Sequence, residues 1–353
     1  MYQLAEPGTP LHEIVGQFRA PVRFAFGYGS SVFKQARQEK GNESLVDVIL
    51  AVTHPQHWHS LNMQQNPHHY SALRLLGSAA VNYVQDQIGA GVYFNPYVNI
   101  NGMRLKYGVV SLSTLCSDLV NWDTLYLAGR MQKPIMVLKN DSVINITGQV
   151  NLTNAVRVAL LQLPASFTEE QFFTKVVALS YTGDPRMRLG ENPDKVRHIV
   201  QGQLPELRNV YQSVLRGMSN VSVPATGGAA GYPLIQQDLH PTTMARMVRH
   251  LPGTFYYRLT RQFQKQDPSV FATPPASPLA ATTEPDDWDH LAAQRHVSLG
   301  MVQSPALAAC TQGAIQATVR GPALTQSLKG VLTAGIGRSI RYSLDKLRRS
   351  RRI

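Results

Sequence analysis

The tightest constraint on this chain is the run Phe24-Ala25-Phe26-Gly27-Tyr28-Gly29-Ser30-Ser31, followed after a polar stretch by Leu45-Val46-Asp47-Val48-Ile49-Leu50-Ala51-Val52. The first run reads as a buried strand that ends in a glycine turn onto a helix. The second reads as a further strand carrying one acid. Gly27 and Gly29 let the backbone approach a phosphate closely, with Tyr28 between them. Ser30 and Ser31 add hydroxyl and N–H donors near a helix N-terminus. Asp47 is expected to face this turn and hold a metal ion against a bound triphosphate. Paired metal-binding acids on one strand face stand one residue apart, but the positions alternating with Asp47 are Leu45 and Ile49. Either another segment supplies the second acid, or the site departs from this pattern.

Charge and cysteine content narrow the setting. The 353 residues carry a formal net charge of +12, and 43% are hydrophobic, enough for two or three domains around a substantial core. Seven basic side chains between Arg338 and Arg352 stand against Asp345 alone, so a net +6, half the excess, lies in the last few turns. Cys116 and Cys310 are far apart, which predicts neither a disulfide framework nor a zinc site and favours a reducing compartment. No apolar run reaches the roughly 18 residues that span a bilayer, so any membrane contact is expected to be peripheral. Glu6 and Glu13 leave no room for a secretory or transit segment before the glycine turn, so an imported form is expected to have lost its presequence already.

Residues 1–163 mix strands and helices. Val92–Ile100 and Met103–Val110 flank Asn101-Gly102, a strong hairpin signal. Thr114–Ala128 reads as a helix ended by Gly129, Pro134–Lys139 as a strand, and Leu152–Leu163 as a helix. The fold class is therefore α/β (α+β) with a mixed sheet. Residues 164–266 read as helical: Thr168-x-x-Gln171 caps a helix through Ser180, Asn192-Pro193 opens another, and Pro205–Arg216, Thr242–Leu251 and Phe255–Lys265 follow. Residues 267–287 carry five prolines and read as a linker, and 288–353 as a C-terminal helical region with a basic tail.

Further motifs occur in a fixed order: Trp58-His59-Ser60-x-Asn62, His69-Tyr70-Ser71, Gly89-Ala90-Gly91-Val92-Tyr93-Phe94-Asn95, Lys106-Tyr107-Gly108-Val109, Leu125-Tyr126-x-Ala128-Gly129-Arg130-x-x-Lys133-Pro134, Ser180-Tyr181-x-Gly183-Asp184 and Lys329-Gly330-x-x-Thr333-Ala334-Gly335. With the Gly-Tyr-Gly-Ser turn, they resemble the mitochondrial phosphatidate cytidylyltransferase family across nearly the whole chain. The resemblance implies a nucleotidyltransferase domain, then a winged-helix-like domain, with CTP in the cleft between them. It implies that CTP and phosphatidic acid yield CDP-diacylglycerol and pyrophosphate, on the matrix side of the mitochondrial inner membrane and toward cardiolipin. That family also has a single Asp at the position of Asp47.

The residues agree with this chemistry. A phosphate monoester is already largely dianionic near neutral pH, so as a nucleophile it needs its charge offset and its approach fixed rather than a general base. Mg²⁺ keeps several waters and binds through one or two carboxylates plus substrate phosphates, so Asp47 alone can be its protein ligand. Asp184, in the turn Gly183-Asp184-Pro185-Arg186, is the candidate to complete the site, and the resemblance turns it toward the cleft. Lys106, Arg130 and Lys133 are candidates for phosphate contacts, Arg130 as a fork and Lys133 as a point charge. His59 and His69 are expected to hydrogen-bond a loop or the nucleotide, and His54, His57 and His68 to lie on the surface. Tyr93 and Tyr107 are expected in the core or at its rim.

On a helix, Ile336, Ile340, Leu344 and Leu347 form one apolar stripe beside Arg338, Arg341, Lys346, Arg348 and Arg349. Such a segment suits an anionic membrane surface. No nucleic-acid partner is expected. Two alternatives remain: a nucleotidyltransferase acting on RNA or a small hydroxylated acceptor, which would call for a second acid and a base, and a non-catalytic membrane-associated assembly protein.

Overall fold

Glycine-turn and alternation signals become a six-stranded mixed sheet in the computed structural model, which describes residues 2–33, 45–189, 192–223, 234–272 and 287–334. The sheet-bearing half runs β1 (Gln3–Leu4), α1 (Pro10–Glu13), β2 (Phe24–Tyr28), β3 (Val46–Val52), α2 (Pro55–Gln65), α3 (Gly77–Gln87), β4 (Val92–Ile100), β5 (Met103–Ser111), α4 (Leu112–Asn121), α5 (Ala128–Met131), β6 (Ile135–Lys139) and α6 (Ser142–Leu160). The helical half runs β7 (Ser166–Thr168), α7 (Glu169–Ala178), α8 (Arg186–Leu189), α9 (Lys195–Gly202), α10 (Leu204–Arg216), β8 (Val221–Ser222), β9 (Leu234–Gln237), α11 (Pro241–Arg249), α12 (Gly253–Gln266), α13 (Asp287–Gln303) and α14 (Leu307–Ala334).

Strand order is β1-β6-β2-β3-β5-β4, with β1/β6 and β3/β5 parallel and the remaining pairs antiparallel. Asn101 and Gly102 both adopt positive φ, 50° and 79°, as the two-residue turn between β4 and β5 requires. A smaller antiparallel sheet, β7-β9-β8, packs within the helical half.

The main sheet is covered on both faces because β3 is apolar on both. Val48, Leu50 and Val52 join Phe18, Trp58, Leu105 and Val109 on one side. Ile49 and Ala51 join Phe24, Phe26, Leu115, Leu119, Leu152 and Val156 on the other. The second core continues without a break into Phe172, Phe173, Tyr211, Phe255 and Phe263 of the helical half. Burying a ring of this size contributes roughly 1.5–3 kcal/mol, so this seam, with α6 as its shared wall, fixes the helical half against the sheet.

Two helix boundaries differ from the sequence expectation by more than three residues. The helix expected over Thr114–Ala128 stops at Asn121, where Trp122 turns left-handed with φ 56°. The cause is Asp118: its buried carboxylate accepts the N–H groups of Thr124, Leu125, Leu127 and Ala128 at 2.8–2.9 Å, wrapping the chain back on itself. Gly129 consequently lies inside the short α5 rather than after a helix. The helix expected from Leu152 already starts at Ser142, because Asp141 caps it by accepting from the Val143 N–H at 3.0 Å.

The capping box expected before α7 is present in both directions, Gln171 N–H to Thr168 Oγ1 at 3.2 Å and Thr168 N–H to Gln171 Oε1 at 2.8 Å, although α7 ends at Ala178. Pro268–Phe271 forms a 3-10 turn with Val270 buried, and the remaining prolines expected in a linker lie outside the described residues. Helix α14 closes the edge of β4: Gln326 donates to the Val92 carbonyl and accepts from the Ala90 N–H, both at 3.1 Å.

Candidate active site

Sheet register assembles the first three site residues. Tyr28 pairs with Asp47 across β2/β3, and Asp47 pairs with Lys106 across β3/β5, so the three side chains form one row on one face. Lys106 Nζ lies 3.8 Å from Asp47 Oδ1 and 4.6 Å from the centroid of the Phe94 ring beneath it. Both charged side chains remain partly exposed. A solvated ion pair of this kind contributes at most about 1 kcal/mol, so the pair matters for where it puts charge rather than for stability.

The glycine turn closes over this row. Gly29 has φ +85°, a left-handed conformation that disfavours any side chain, and a Cβ there would stand 3.9 Å from Asp47 Oδ2. Its carbonyl accepts the N–H groups of Val32 and Phe33 at 3.1 and 2.9 Å, while Ser31 Oγ donates to the Leu45 carbonyl at 2.6 Å and ties the turn to β3. Ser30 is exposed and Gly27 lies within β2. The helix expected after the turn falls among residues 34–44, outside the described residues.

Arg130 approaches from α5. Its guanidinium lies 3.8 Å from the Tyr126 ring centroid and 5.3 Å from that of Tyr28, and it donates to the Tyr126 carbonyl. Burial opposes its charge, but Tyr126, Tyr28 and Asp47 outweigh burial and hold it firmly protonated. Burial, followed by the Asp47 charge, pushes the Tyr28 hydroxyl up to about 12, so Tyr28 is neutral and its oxygen accepts from Arg130.

Lys133 sits one helical turn beyond, donating to the Gly129 carbonyl and to Ser180 Oγ at 2.8 Å, and facing Tyr181 at 5.2 Å. Burial, then Arg130 and Lys195, hold its ammonium well below the ordinary lysine range. Asp184 is buried, with both carboxylate oxygens in the fork of Arg186, Nε to Oδ1 at 3.0 Å and Nη2 to Oδ2 at 2.5 Å. Arg186 is in turn electrostatically coupled to Tyr126 and Arg130. The structure thus brings Lys106, Asp47, Tyr28 and Arg130 together by register and ring contact, while Lys133 and the Asp184–Arg186 pair lie near enough for Arg130 to oppose their positive charges.

The histidines do something else. His59 is fully buried between Tyr70 and Gln85: the Gln85 side-chain Oε1 accepts from Nε2 at 2.9 Å, and Nδ1 meets the Tyr70 hydroxyl at 2.9 Å. His69 Nδ1 meets the Tyr107 hydroxyl at 2.9 Å, and Asn62 donates to both hydroxyls. Tyr93 and Tyr107 are core residues, as expected, while His54, His57 and His68 are exposed. Among the described residues no cluster of three or more His, Cys, Asp or Glu side chains has metal-binding geometry. Among the described residues, the carboxylate nearest the turn is that of Asp47, whose Oδ2 faces the Gly29 backbone. One carboxylate facing a phosphate-binding turn fits Mg²⁺ completed by substrate phosphates and water, and does not fit a closed protein cage.

The family model described as "Phosphatidate cytidylyltransferase, mitochondrial" matches residues 11–349. The chain belongs to the mitochondrial phosphatidate cytidylyltransferase family. A relative of that name from Mus musculus is 34% identical over 347 residues, covering 98% of this chain and 95% of the relative. The Xenopus laevis relative is 33% identical over 344 residues, covering 96% and 94%. A Saccharomyces cerevisiae relative is 49% identical over 212 residues, covering 58% of this chain and 55% of its own length.

Within this family member, sequence reasoning passed over Tyr126, Tyr181, Arg186, Lys195 and Phe94 as site residues. Tyr126 and Tyr181 lay inside the ordered motifs Leu125-Tyr126 and Ser180-Tyr181, and Arg186 closed the turn that holds Asp184. Their signal was position beside a basic residue or an acid, since an aromatic ring alone is far more often core than a platform for a cation. Lys195 had no local signal.

Proposed function

We propose that this chain catalyses the attack of phosphatidic acid on CTP, giving CDP-diacylglycerol and pyrophosphate, a reaction in keeping with its relatives' name, phosphatidate cytidylyltransferase. The observation that carries this reading is the row Tyr28–Asp47–Lys106 beneath the Gly29 turn, with Arg130 laid across two tyrosine rings beside it. Such an arrangement suits phosphoryl transfer, in which positioning and charge offset carry the rate. Among these residues no base is set to deprotonate a hydroxyl, which supports a phosphate nucleophile over an alcohol acceptor.

The Gly29–Ser31 turn cradles the triphosphate, and Lys106 and Arg130 offset the charge developing on it. Asp47 would hold Mg²⁺, which when bound supplies charge neutralisation of the triphosphate. Arg186, fixed in its fork by Asp184, extends the basic wall. Helices α7, α9 and α10 with the sheet β7-β9-β8 support a winged-helix-like second domain from residue 164 to 266, followed by the C-terminal helical region.

The proposal includes a peripheral seat on the matrix side of the mitochondrial inner membrane; the relatives' mitochondrial designation and two features of the chain are consistent with it. No helix among the described residues is long and apolar enough to cross a membrane. On α14, Leu324, Leu328 and Leu332 are 49%, 64% and 51% exposed, and in sequence the same spacing of four continues through Ile336, Ile340 and Leu344 into the basic tail. The tail residues Arg338, Arg341, Lys346, Arg348 and Arg349 lie outside the described residues. The product's place in cardiolipin synthesis belongs to the same proposal.

Pyrophosphate release measured with CTP, Mg²⁺ and phosphatidic acid in mixed micelles tests the activity, with ATP, GTP and UTP as controls. Release is expected only with CTP and the lipid together, and Asp47→Ala is expected to lower it about 100-fold or more while the protein still melts cooperatively. A fully active Asp47→Ala protein would remove Asp47 from the site. Release without lipid would reassign the acceptor.

A further inference from the structure

The segment Ala72-Leu73-Arg74-Leu75-Leu76 takes no part in the chemistry above, yet it puts two neighbouring leucines into solvent. In the 3-10 turn Ala72–Leu76, Leu75 is 76% and Leu76 71% exposed, more than any other large apolar side chain among the described residues. A tight hydrogen-bonded frame holds them there. Ser71 Oγ accepts from the Leu73 N–H at 3.4 Å, the Ser71 carbonyl from the Arg74 N–H at 3.1 Å, and the Arg74 carbonyl from the Gly77 N–H. Gly77, at φ +83°, then turns the chain into α3. Underneath, Leu73 packs on the buried cluster of Tyr70, Val81, Val84 and Tyr93, and the Tyr70 hydroxyl is held by His59 and Asn62. A turn anchored so firmly presents Leu75 and Leu76 by construction, forgoing the stabilisation that burial would give them.

The same turn is tied to α14. Ser71 Oγ donates to the Leu332 carbonyl at 3.3 Å, and Lys329 Nζ donates to the Gln85 carbonyl at the end of α3. The exposed leucines of the turn therefore stand beside the stretch of α14 that carries exposed Leu328 and Leu332. Tyr83, two helical turns after Leu76 and so on the same side of α3, is exposed as well. Several large apolar groups from two elements thus share one region of the surface, which marks a place of contact rather than scattered exposure.

Charge selects what meets this region. The residues after α14 carry a net +6, so a second copy of the chain docking here would bring two like-charged segments together. An anionic lipid surface accepts both the leucines and the basic residues, and exposed Arg74 between Leu73 and Leu75 suits its headgroups.

We propose that the Leu75–Leu76 turn inserts into an anionic lipid bilayer as a second point of contact beside α14. The choice of a bilayer rests on the lipid acceptor proposed above. A single row of leucines along one helix leaves the body free to roll about that helix axis. A second contact off the axis stops the roll and sets one tilt of the site against the membrane.

Leu76→Trp in the full chain reads the occupant directly. The added indole, taken as the difference from the parent chain, is expected to emit as a solvated ring in buffer. On vesicles of phosphatidylcholine and cardiolipin its emission is expected to shift to shorter wavelength, and to lose about half its intensity or more when the acyl chains are brominated. A short-wavelength indole before vesicles are added would mean that the chain's own tail or a second copy covers the turn, and would overturn the proposal. An indole that brominated lipid does not quench would overturn it equally. Leu75→Gln with Leu76→Gln removes apolar surface without adding charge. It is expected to weaken vesicle binding about tenfold or more, with the salt dependence kept and the melting temperature unchanged. Leu76→Trp is expected to bind as the parent does, since an indole suits the interface. Unchanged affinity of the double variant would confine the contact to α14 and the tail, against the proposal. None of these readings uses CTP or turnover. A chain whose turn enters the bilayer but which releases no pyrophosphate refutes the activity alone, whereas an active chain whose turn stays in water refutes this contact alone.

Discussion

At the scale of single residues, His59 shows how a buried polar group serves the fold rather than the chemistry. Burial lowers its pKa from 6.5 to about 4, since the imidazolium would lose hydration among Trp58, Tyr70 and Tyr93. The neutral ring suits its bonds: Nε2 donates to Gln85 and Nδ1 accepts from Tyr70. Between pH 6.5 and 4 the unfolded chain protonates this histidine and the folded chain does not, so the unfolded state binds more protons there. Stability from this group is therefore complete above about pH 6.5 and lost as pH falls toward 4, by roughly 3 kcal/mol in all. His59→Gln is expected to be less stable at pH 7 and to lack that part of the acid-side slope, read from denaturant unfolding at pH 7, 5.5 and 4. A slope equal to that of the parent chain would show that His59 is not held neutral. Arg130 is the opposite case, a cation kept charged by the rings and the acid around it, which is what the proposed phosphate contact requires of it.

At the scale of elements, the contact between α5 and the turn after α7 is the joint on which the basic residues hang. Gly129→Ala places a Cβ against Ser180 Cβ, and neither belongs to a flexible side-chain tip, so backbone must move at a cost of about 1–3 kcal/mol. The same displacement shifts Lys133 and Arg130. Gly129→Ala is therefore expected to lower both melting temperature and turnover. Adding Ser180→Gly is expected to restore stability, measured as a non-additive double-variant cycle, because it removes the opposing atom. Additive losses would place the strain elsewhere. This joint also separates what the sequence disclosed from what it hid. The β4–β5 hairpin and the α7 capping box were legible because Asn101-Gly102 and Thr168-x-x-Gln171 each decide their structure within a few residues. The early end of α4 was not, because Asp118 collects N–H groups six to ten residues downstream. Nor was the sheet β7-β9-β8, whose pairing joins Phe167 to Ile235. In the candidate site, Asp47 and the glycine turn announced themselves within one strand pair. Tyr126 and Lys195 acquire a role only when separate segments meet Arg130 and Tyr181.

At the scale of the whole molecule, the question is how a site set into a folded body reaches a substrate that lives in a bilayer. Helix α14 is pinned to the body on one side by Gln326, and by buried Lys329 donating to the Gln85 carbonyl at 3.0 Å. Its exposed Leu324, Leu328 and Leu332 lie on the other side, and the chain then runs into a segment of net +6. Basic residues near an anionic surface contribute about 1 kcal/mol each at moderate salt, so the tail can supply attachment that the leucines alone do not. Removing residues 335–353 is expected to weaken binding to cardiolipin-containing vesicles by at least about 100-fold and to flatten its salt dependence. CTP binding is expected to be unaffected, because the row under the Gly29 turn is built from β2, β3 and β5. The same truncation is expected to lower turnover on phosphatidic acid in vesicles while sparing turnover on a short-chain, freely dispersed form. Equal loss on both would mean that the tail supports the site itself rather than its access to the membrane. Leu328→Glu with Leu332→Glu separates the two contributions. It leaves the tail's charge in place, so vesicle binding should fall while its salt dependence persists. An unchanged affinity would confine attachment to the basic segment.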